Sequence, residues 1–296
     1  MEGSTVSNSR TGIILITLLA PCLWGSTYVV FTQTLPVEHP LLVAALRALP
    51  AGLLLMMISS GLPPRAAIFK LTVLGLANIG VFFALLFVAA ARMPGGAAAT
   101  LMSAQPLLVG LLAWPMLLRR PHPAQVAASV IGMVGVGLLI FDPTQSMDPI
   151  GVIASLGAAG SMALGTVLIE RWGRVGTPLE LTAWQLTLGG LALLPLALIF
   201  EGLPPVPSSL NAIGLTYLIL PGTALAYWLW IRGISLIGAD VTFLSLFSPL
   251  VATVLGALLL DEWFSTVQFM GIALILTSAA AGVTVSRRAK RIAVHP

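Results

Sequence analysis

Few side chains in this chain could do chemistry, and most of those few are uncharged. Trp24 and Asn78 lie near the middle of long apolar stretches, and Arg47 is the one cation well inside such a stretch. A buried indole can stack on the ring of a bound solute. A buried amide must face a polar neighbour or a cavity, because its burial without a partner is costly. These residues favour binding of a small solute over bond-breaking chemistry.

Twelve candidate lining residues share apolar surroundings and a side chain that is aromatic, thioether, hydroxyl or amide. The plain alternative for each is packing between helices, and Asn78 in particular could bond a neighbouring helix instead of lining a cavity. The candidates are Trp24, Asn78, Phe82, Met102, Gln105, Ser161, Met162, Trp184, Gln185, Tyr227, Ser245 and Ser248.

Two prolines and one arginine accompany these candidates. Pro106 and Pro249 follow them at matching places, and each could free a backbone carbonyl and bend its helix, either as a hinge or simply to shape a bundle. Arg47 could bind a substrate carboxylate, or it could extend outward toward Glu38 or a lipid headgroup as a structural tie. Its depth in the stretch favours the tie.

The acidic residues predict a gate rather than ion coupling. Glu170, Glu180 and Asp240 lie at the ends of stretches, where they could be interfacial or could pair with arginines in a cytoplasmic gate. No Asp, Glu or His lies in the middle of a stretch. Proton and sodium pathways through membranes usually use such side chains. If the chain carries a solute across a membrane, we therefore expect facilitated diffusion down the solute gradient, without ion coupling. The arginines expected to pair in the gate are Arg171, Arg174 and Arg232.

Several kinds of chemistry are excluded by what the chain lacks. Its one cysteine, Cys22, can form neither an internal disulfide nor a thiolate cluster for a metal. No G-x-x-x-x-G-K-[ST] loop is present, so the chain carries no ATP motor of that type. No paired acids, Ser–His sets or metal ligands lie at depth, so we expect no enzyme activity, no metal and no cofactor.

Composition indicates that membrane helices position all of these residues. The chain is 58% hydrophobic and 8% charged, against about 25% charged in soluble domains. Lipid requires each segment to satisfy its own backbone polar groups, which predicts helices of about 20 residues. The predicted spans are 12–33, 41–60, 68–91, 96–118, 124–141, 150–171, 179–200, 212–232, 239–260 and 265–286.

The cations predict the orientation of these spans. Of the 14 Lys and Arg residues, twelve lie in the odd-numbered connections and tails, whereas only Arg92 lies in an even-numbered one. This bias predicts ten crossings with both ends in the cytoplasm. The spread of the basic residues along one membrane face favours anionic lipid over nucleic acid as their partner. We expect the first helix to be retained rather than cleaved as a signal.

The two halves of the chain resemble each other. Gly25 matches Gly165, Arg47 matches Gln185 and Pro106 matches Pro249, with an offset between 138 and 143 residues. Five spans per half place the second half in the opposite orientation, an arrangement common in secondary transporters. We therefore expect repeats at 12–141 and 150–286, followed by a basic cytoplasmic tail at 287–296.

One glycine pattern and one tryptophan pattern predict where helices and side chains lie, and neither indicates chemistry. GMVGVG at 132–137 in span 5 predicts close helix packing. Tryptophans near span ends are typical of the interfacial belt, and those expected there are Trp114, Trp172, Trp228, Trp230 and Trp263.

Three segments and one further residue resemble the EamA type of the drug/metabolite transporter superfamily. They are PCLWGSTYV at 21–29, Arg47 in span 2, AQPLLVGLLA at 104–113 and SPLVATVLGALLLDEWFSTVQFMGIALI at 248–275. The resemblance implies ten helices, with spans 1–4 and 6–9 around a central cavity and spans 5 and 10 as supports. One departure is that Glu262 follows span 9, whereas Arg119 stands at the matching place after span 4. The texture is most similar to bacterial YddG-like aromatic amino-acid exporters.

The expected function is secondary transport. The resemblance and the uncharged cavity together favour export of amino acids, chiefly Trp, Phe and Tyr, by alternating access across a bacterial inner membrane. Alternatives are a proton-coupled exporter, a carrier of another small solute, and a scaffold or receptor. A carrier of phosphorylated sugars or nucleotides would need several cations in the cavity. We expect lipid partners and a monomer or weak dimer.

Overall fold

The protein is an all-α membrane protein. The computed structural model describes residues 2–36, 38–59, 61–92, 101–140, 148–173, 175–203, 207–260 and 265–294. Every regular element in these ranges is helical. Only the backbone is described at 2–10, 28, 32, 90, 91, 139, 140, 253, 256, 257, 259, 260 and 283–294.

Five main helical stretches lie in the described residues of the first half, and we number them as the spans were numbered. α3 is one continuous stretch in which a π-helical segment, Leu76–Gly80, joins two α-helical parts. The stretches are α1 (Glu2–Thr34), α2 (Pro40–Ile58), α3 (Ile68–Gly75, Leu76–Gly80 and Val81–Arg92), α4 (Gln105–Leu117) and α5 (Pro123–Ile140).

The second half repeats this series, including the π-helical segment. In α8 that segment is Leu220–Leu225, which begins 144 positions after its counterpart in α3. The stretches are α6 (Pro149–Trp172), α7 (Pro178–Phe200), α8 (Ser209–Ile219, Leu220–Leu225 and Ala226–Ile237), α9 (3₁₀ Ala239–Leu246 and α-helical Phe247–Leu260) and α10 (Thr266–Val294).

Six of the described helices, α1, α2, α3, α6, α7 and α8, are long and apolar enough to cross a membrane. Shorter apolar helices lie at Gln105–Leu117, Pro123–Leu138, Ala239–Ala252 and Thr266–Gly282. The ten crossings and the cytoplasmic placement of both ends stay predictions. α10 continues to Val294, so the basic segment 287–294 extends the helix instead of leaving it as a separate tail.

Local capping fixes where the helices of the second half begin. The Asp148 carboxylate accepts a hydrogen bond from the Gly151 amide at 2.9 Å. Thr177 and Glu180 form a reciprocal capping box at the start of α7, as Ser208 and Asn211 do for α8. Such caps satisfy the free amides of the first turn.

Two glycines fix where these helices end. Gly173 ends α6 with φ +65°, and Gly238 ends α8 with φ +98°. Side chains with a Cβ rarely adopt these angles. The tight turns bring the end of α6 and the start of α9 to the same end of the bundle.

α2 and α7 cross at matched glycines. A Cβ on Gly52 would lie 2.5 Å from the Thr187 amide, and a Cβ on Gly190 would lie 2.7 Å from the Leu49 amide. Gly52 and Gly190 stand 138 positions apart, the same offset as Arg47 and Gln185. Small residues let the two backbones approach closely. Counterpart helices of the two repeats therefore meet through counterpart residues.

α5 and α10 also pack against each other through small residues. A Cβ on Gly132 would lie 2.6 Å from the Ser278 hydroxyl, and one on Gly135 would lie 2.9 Å from the Gly271 carbonyl. The Ser278 hydroxyl donates to the Ala128 carbonyl at 2.6 Å. The GMVGVG segment thus serves packing.

The two prolines do not lie inside uninterrupted α-helices. A turn at Ser103 and Ala104 interrupts the predicted span 4, and Pro106 is the second residue of the α-helix that follows. Pro249 is the third residue of the α-helical part of α9, after its 3₁₀ part. Proline is tolerated in a first turn, where its missing donor would have no partner. We expected each proline to bend a continuous helix. Instead, the α-helix begins just before each proline, and the irregular backbone precedes it.

Candidate functional site

Aromatic rings from α1, α3 and α8 meet inside the bundle. The Trp24 ring centroid lies 5.1 Å from that of Tyr227 and 5.2 Å from that of Trp230. Phe83 meets Tyr227 edge-on, at 5.9 Å and 88°. Tilted and edge-to-face pairs at these distances are the favoured geometries of aromatic side chains. We call Trp24, Phe83, Tyr227 and Trp230 the aromatic cluster.

Arg47 of α2 lies beside this cluster and is 3% exposed. Its guanidinium carbon stands 4.8 Å from the centroid of the Phe83 ring. Nε donates to the Thr223 hydroxyl at 2.9 Å, and a terminal nitrogen donates to the Gly222 carbonyl at 3.1 Å. The expected outward tie to Glu38 or a headgroup is wrong, because Arg47 bonds inward to the π-helical segment of α8.

The sequence pattern predicted that Trp230 lies in the interfacial belt. This is wrong, because Trp230 is 1% exposed and lies inside the bundle. The indole nitrogens of Trp24 and Trp230 are both buried and have no hydrogen-bond partner in the described part of the chain. Trp114 and Trp172 do lie toward helix ends, where they stack with Arg120 and Lys70. Trp230 instead extends the cluster around Trp24.

The Asn78 and Gln185 side chains form a buried amide pair between α3 and α7. Asn78 Nδ2 donates to Gln185 Oε1 at 2.6 Å, and Gln185 Nε2 donates to the Leu181 carbonyl at 3.2 Å. The Asn78 amide packs directly over Gly165 of α6. The Ser161 hydroxyl donates to the Ala77 carbonyl at 2.7 Å. Of the two roles weighed for Asn78, the structure contains the bond to a neighbouring helix.

These two polar contacts are counterparts in the two repeats. Arg47 of α2 bonds the π-helical segment of α8, and Gln185 of α7 bonds that of α3. A π-helix leaves its backbone ladder locally irregular and is common at functional sites. Each repeat therefore fastens the irregular segment of the other one.

The other predicted lining residues are dispersed. Phe82 and Met162 are buried in the main apolar core, and Met102 is half-buried against it. Gln105 is buried, and its amide nitrogen has no partner in the described chain. The turn at 103–104 separates Met102 from Gln105, which were expected on one helix face.

Three more of the predicted lining residues lie in separate parts of the bundle. The Trp184 indole donates to the Gly61 carbonyl at 3.1 Å, near an end of the bundle. The Ser245 hydroxyl donates to the Thr242 carbonyl at 2.7 Å. A Cβ on Gly25 would lie 2.6 Å from the Ser248 carbonyl, where α1 crosses α9. Whether these residues line a transport path stays a prediction.

A polar network closes the end of the bundle that is predicted to be cytoplasmic. One terminal nitrogen of Arg119 lies 3.0 Å from Glu170 Oε1, and the other lies 3.6 Å from Asp240 Oδ1. Gln125 Nε2 donates to the same Asp240 oxygen at 3.1 Å, and the Ala239 amide donates to Glu170 Oε2 at 2.6 Å. We call Arg119, Gln125, Glu170 and Asp240 the inner network.

The inner network corrects the expected charge pairing. Glu170 and Asp240 pair with Arg119, whereas Arg171 donates to the Met116 carbonyl. Glu180 serves the capping box of α7. A small cleft of about 30 Å³, open to solvent, adjoins the network between α4, α5 and α9 and is lined by Arg119, Gln125 and Asp240 among others. Arg174, Glu262 and Trp263 lie outside the residues whose side chains are described.

The opposite end is held by backbone contacts. The Glu201 carboxylate accepts from the Leu41 and Leu42 amides at 2.7 and 2.9 Å. Asn211 Nδ2 donates to the Thr34 carbonyl at 2.6 Å. The start of α8 is thereby joined to the α1–α2 connection.

Sequence reasoning missed Phe83, Trp230, Thr223 and Arg119 as members of these sites. Phe83 and Trp230 carry no polar signal at depth, and π-helical segments change which residues face inward. Arg119 could have been found, because it already stood out against the acidic residue expected at that place. Among the residues that the structure describes, no group of three or more His, Cys, Asp or Glu side chains could hold a metal ion.

Comparison with known proteins gives consistent matches along the chain. Residues 10–141 and 149–283 both match the model of the EamA-like transporter family. Protein PecM of Dickeya dadantii (strain 3937) is 42% identical over 280 residues, which cover 94% of each chain. A probable amino-acid metabolite efflux pump of Escherichia coli (strain K12) is 30% identical over 300 residues, covering 95% of this chain and 97% of that protein. A crystal structure that is 22% identical matches the fold with a TM-score of 0.79, over 93% of this chain and 99% of that one.

Proposed function

The chain belongs to the EamA-like transporter family, and on that premise we propose that it exports amino acids, chiefly tryptophan, phenylalanine and tyrosine. It is a multi-pass transporter of the bacterial inner membrane. In this proposal the solute moves down its own gradient by alternating access. The solute and the surrounding lipids are its partners, and the protein acts as a monomer or weak dimer.

The aromatic cluster beside Arg47 is the observation that most supports this substrate class. A partly exposed Trp24 ring backed by Tyr227 and Trp230 offers a flat apolar surface for an aromatic side chain. The buried charge of Arg47 favours an anionic group nearby, because charge interactions are strong where water is excluded. A relative that is named a probable amino-acid metabolite efflux pump supports efflux of such solutes.

The distribution of acids supports transport without ion coupling. Every Asp and Glu side chain that the structure describes lies at a helix end or in a connection. A proton-coupled exporter would need a titratable group along the path. Phosphorylated sugars and nucleotides would need several cations at depth, whereas Arg47 is already engaged with Thr223 and Gly222.

The pseudo-symmetry of the repeats supports the alternating-access part of the proposal. α2 and α7 cross at Gly52 and Gly190, about which the two repeats could rock. The inner network would then be a cytoplasmic gate whose bonds break when the cavity opens inward. Partly exposed ion pairs suit such a gate because each contributes only about 1 kcal/mol and can be exchanged for water.

Counterflow in proteoliposomes tests this function. Vesicles loaded with unlabelled tryptophan should accumulate labelled tryptophan, phenylalanine and tyrosine faster than charged amino acids, and Trp24→Ala or Gln105→Ala should slow this exchange. Met57→Ala is the matched control, because Met57 is 85% exposed on the outside of α2. Absence of amino-acid exchange by the wild type would refute the substrate class. Uphill uptake driven by an imposed pH gradient would refute transport without coupling.

A further inference from the structure

We propose that the indole N–H groups of Trp24 and Trp230 form a donor pair that binds the carboxylate of the transported solute. The proposal rests on the transport function above and names the group of the solute that this site recognises. Each indole is donor-only. Neither nitrogen has a partner in the described part of the chain, although both atoms are buried.

Unpaired buried donors are rare in folded proteins, and each one requires an explanation. Another buried indole does have an acceptor: Trp184 donates to the Gly61 carbonyl at 3.1 Å. The indole N–H groups of Trp24 and Trp230 have no such acceptor in the described part of the chain. Both residues belong to the aromatic cluster, and their ring centroids lie 5.2 Å apart. Two such groups side by side indicate a shared acceptor that arrives with the solute.

The surroundings of the pair select a negatively charged acceptor. Arg47 places a positive charge over Phe83, which in turn meets Tyr227 edge-on in the same cluster. No described Asp or Glu side chain lies within the spans at this depth. A carboxylate has two oxygens and about four acceptor sites, and bonds from N–H donors to a charged acceptor are stronger than neutral ones. One carboxylate therefore has enough acceptor sites for both indole N–H groups.

The position of the two rings fits a transport site. Trp24 lies on α1 in the first repeat and Trp230 on α8 in the second. A solute bound to both would join the repeats, and the contact would change when they move relative to each other. Trp24 is half-buried and Trp230 is buried, so the Trp24 ring is the more accessible of the two.

Substitution by phenylalanine separates the donor from the ring. Trp24→Phe and Trp230→Phe keep an aromatic side chain but remove the N–H. Trp228→Phe is the control, since Trp228 lies on the same helix, is half-buried and is not part of the cluster. Equilibrium binding to the purified protein would be measured for tryptophan, for indole-3-acetate, which lacks the ammonium, and for tryptamine, which lacks the carboxylate. Elution as a single species checks that each variant is folded.

The donor pair predicts a difference between ligands. Each of the two variants should weaken tryptophan and indole-3-acetate binding about tenfold, which corresponds to one hydrogen bond to a charged group. The affinity of these two variants for tryptamine should change less than about twofold. The control Trp228→Phe should change the affinity for each of the three ligands by less than about twofold as well. Equal weakening of all three ligands would assign the indoles to ring packing and overturn the donor pair, as would unchanged carboxylate affinity.

The two proposals fail in different ways. Suppose that the wild-type protein binds indole-3-acetate but not tryptophan, and that both Phe variants weaken indole-3-acetate binding. This result would overturn amino-acid export and support the donor pair. If neither variant changed tryptophan binding or exchange, amino-acid export would be supported and the donor pair would be overturned. Absence of binding of either carboxylate to the wild type would overturn the donor pair.

Discussion

Arg47 and Gln185 occupy the same position of the two repeats, and each bonds the π-helical segment of the opposite repeat. The first contact joins a cation to a hydroxyl and a carbonyl, and the second joins two neutral amides. This places an elementary charge on one side of the pseudo-symmetry and none on the other. The two repeats are therefore alike in backbone and unlike in electrostatics, and in the proposed alternating-access cycle this asymmetry would favour one orientation over the other.

Arg47→Met should lower the free energy of unfolding by about 2 kcal/mol, because it leaves the buried Thr223 hydroxyl and Gly222 carbonyl without a charged donor. Denaturant titration in detergent measures this. Arg92→Met is the control: Arg92 forms an exposed pair with Asp148 at 3.8 Å, and such pairs contribute about 0–1 kcal/mol. Equal losses in the two variants would contradict the structural role of Arg47.

Gly165→Ala should destabilise the protein by about 1–3 kcal/mol, because the new methyl group would overlap the Asn78 amide and force it away from Gln185. Gly160→Ala on the same helix has no atom within 4 Å of the new Cβ. It should be neutral or stabilising by up to about 1 kcal/mol, since alanine favours helices. Thermal unfolding of the two variants side by side decides the matter, and a tolerated Gly165→Ala would mean that the amide pair can relocate freely.

Glu170→Gln should open the inner network, because Arg119 loses one of its two carboxylates. In a Cys22→Ser background, a cysteine introduced at Val126 in the adjoining cleft would report the change. Thiol labelling from the predicted cytoplasmic side should rise about fivefold, the population change that about 1 kcal/mol of a partly exposed ion pair allows. The matched substitution Asp148→Asn, at the other end of the bundle, should leave labelling unchanged. If high salt fails to accelerate labelling of the unsubstituted network, the gate does not depend on charge.

Trp184→Phe should lower stability by about 1 kcal/mol through loss of the bond to the Gly61 carbonyl. The half-saturating concentration of tryptophan in counterflow should stay within about twofold of wild type, because the Trp184 indole already has its acceptor. A large rise in that concentration, comparable to the one expected for Trp24→Phe, would return Trp184 to the binding site.

The helical architecture and the repeats could be predicted because they depend on signals that the chain states directly: apolar length, flanking cations and turn residues. The close packing at the glycines of α5 and the depth of Asn78 were predicted from such local signals. The neighbours of Arg47 and Trp230 were not, because helix contacts depend on rotation about the axis. A π-helical segment shifts that rotation by a full residue without any mark in the sequence. The pairing of Arg119 with Glu170 and Asp240 joins the α4–α5 connection to the end of α6 and the start of α9, and no local sequence pattern predicts a contact between parts so far apart in the chain.

The matched π-helical segments of α3 and α8 also bear on ancestry. A turn of this kind arises when one extra residue enters an α-helix, since it lengthens the hydrogen-bonded ring from i→i+4 to i→i+5. Both halves carry it at the same place. A single insertion in the five-helix ancestor, before its gene doubled, accounts for both copies, whereas later origins would require the same accident twice. On this account the irregular turn is older than the duplication that produced the two halves.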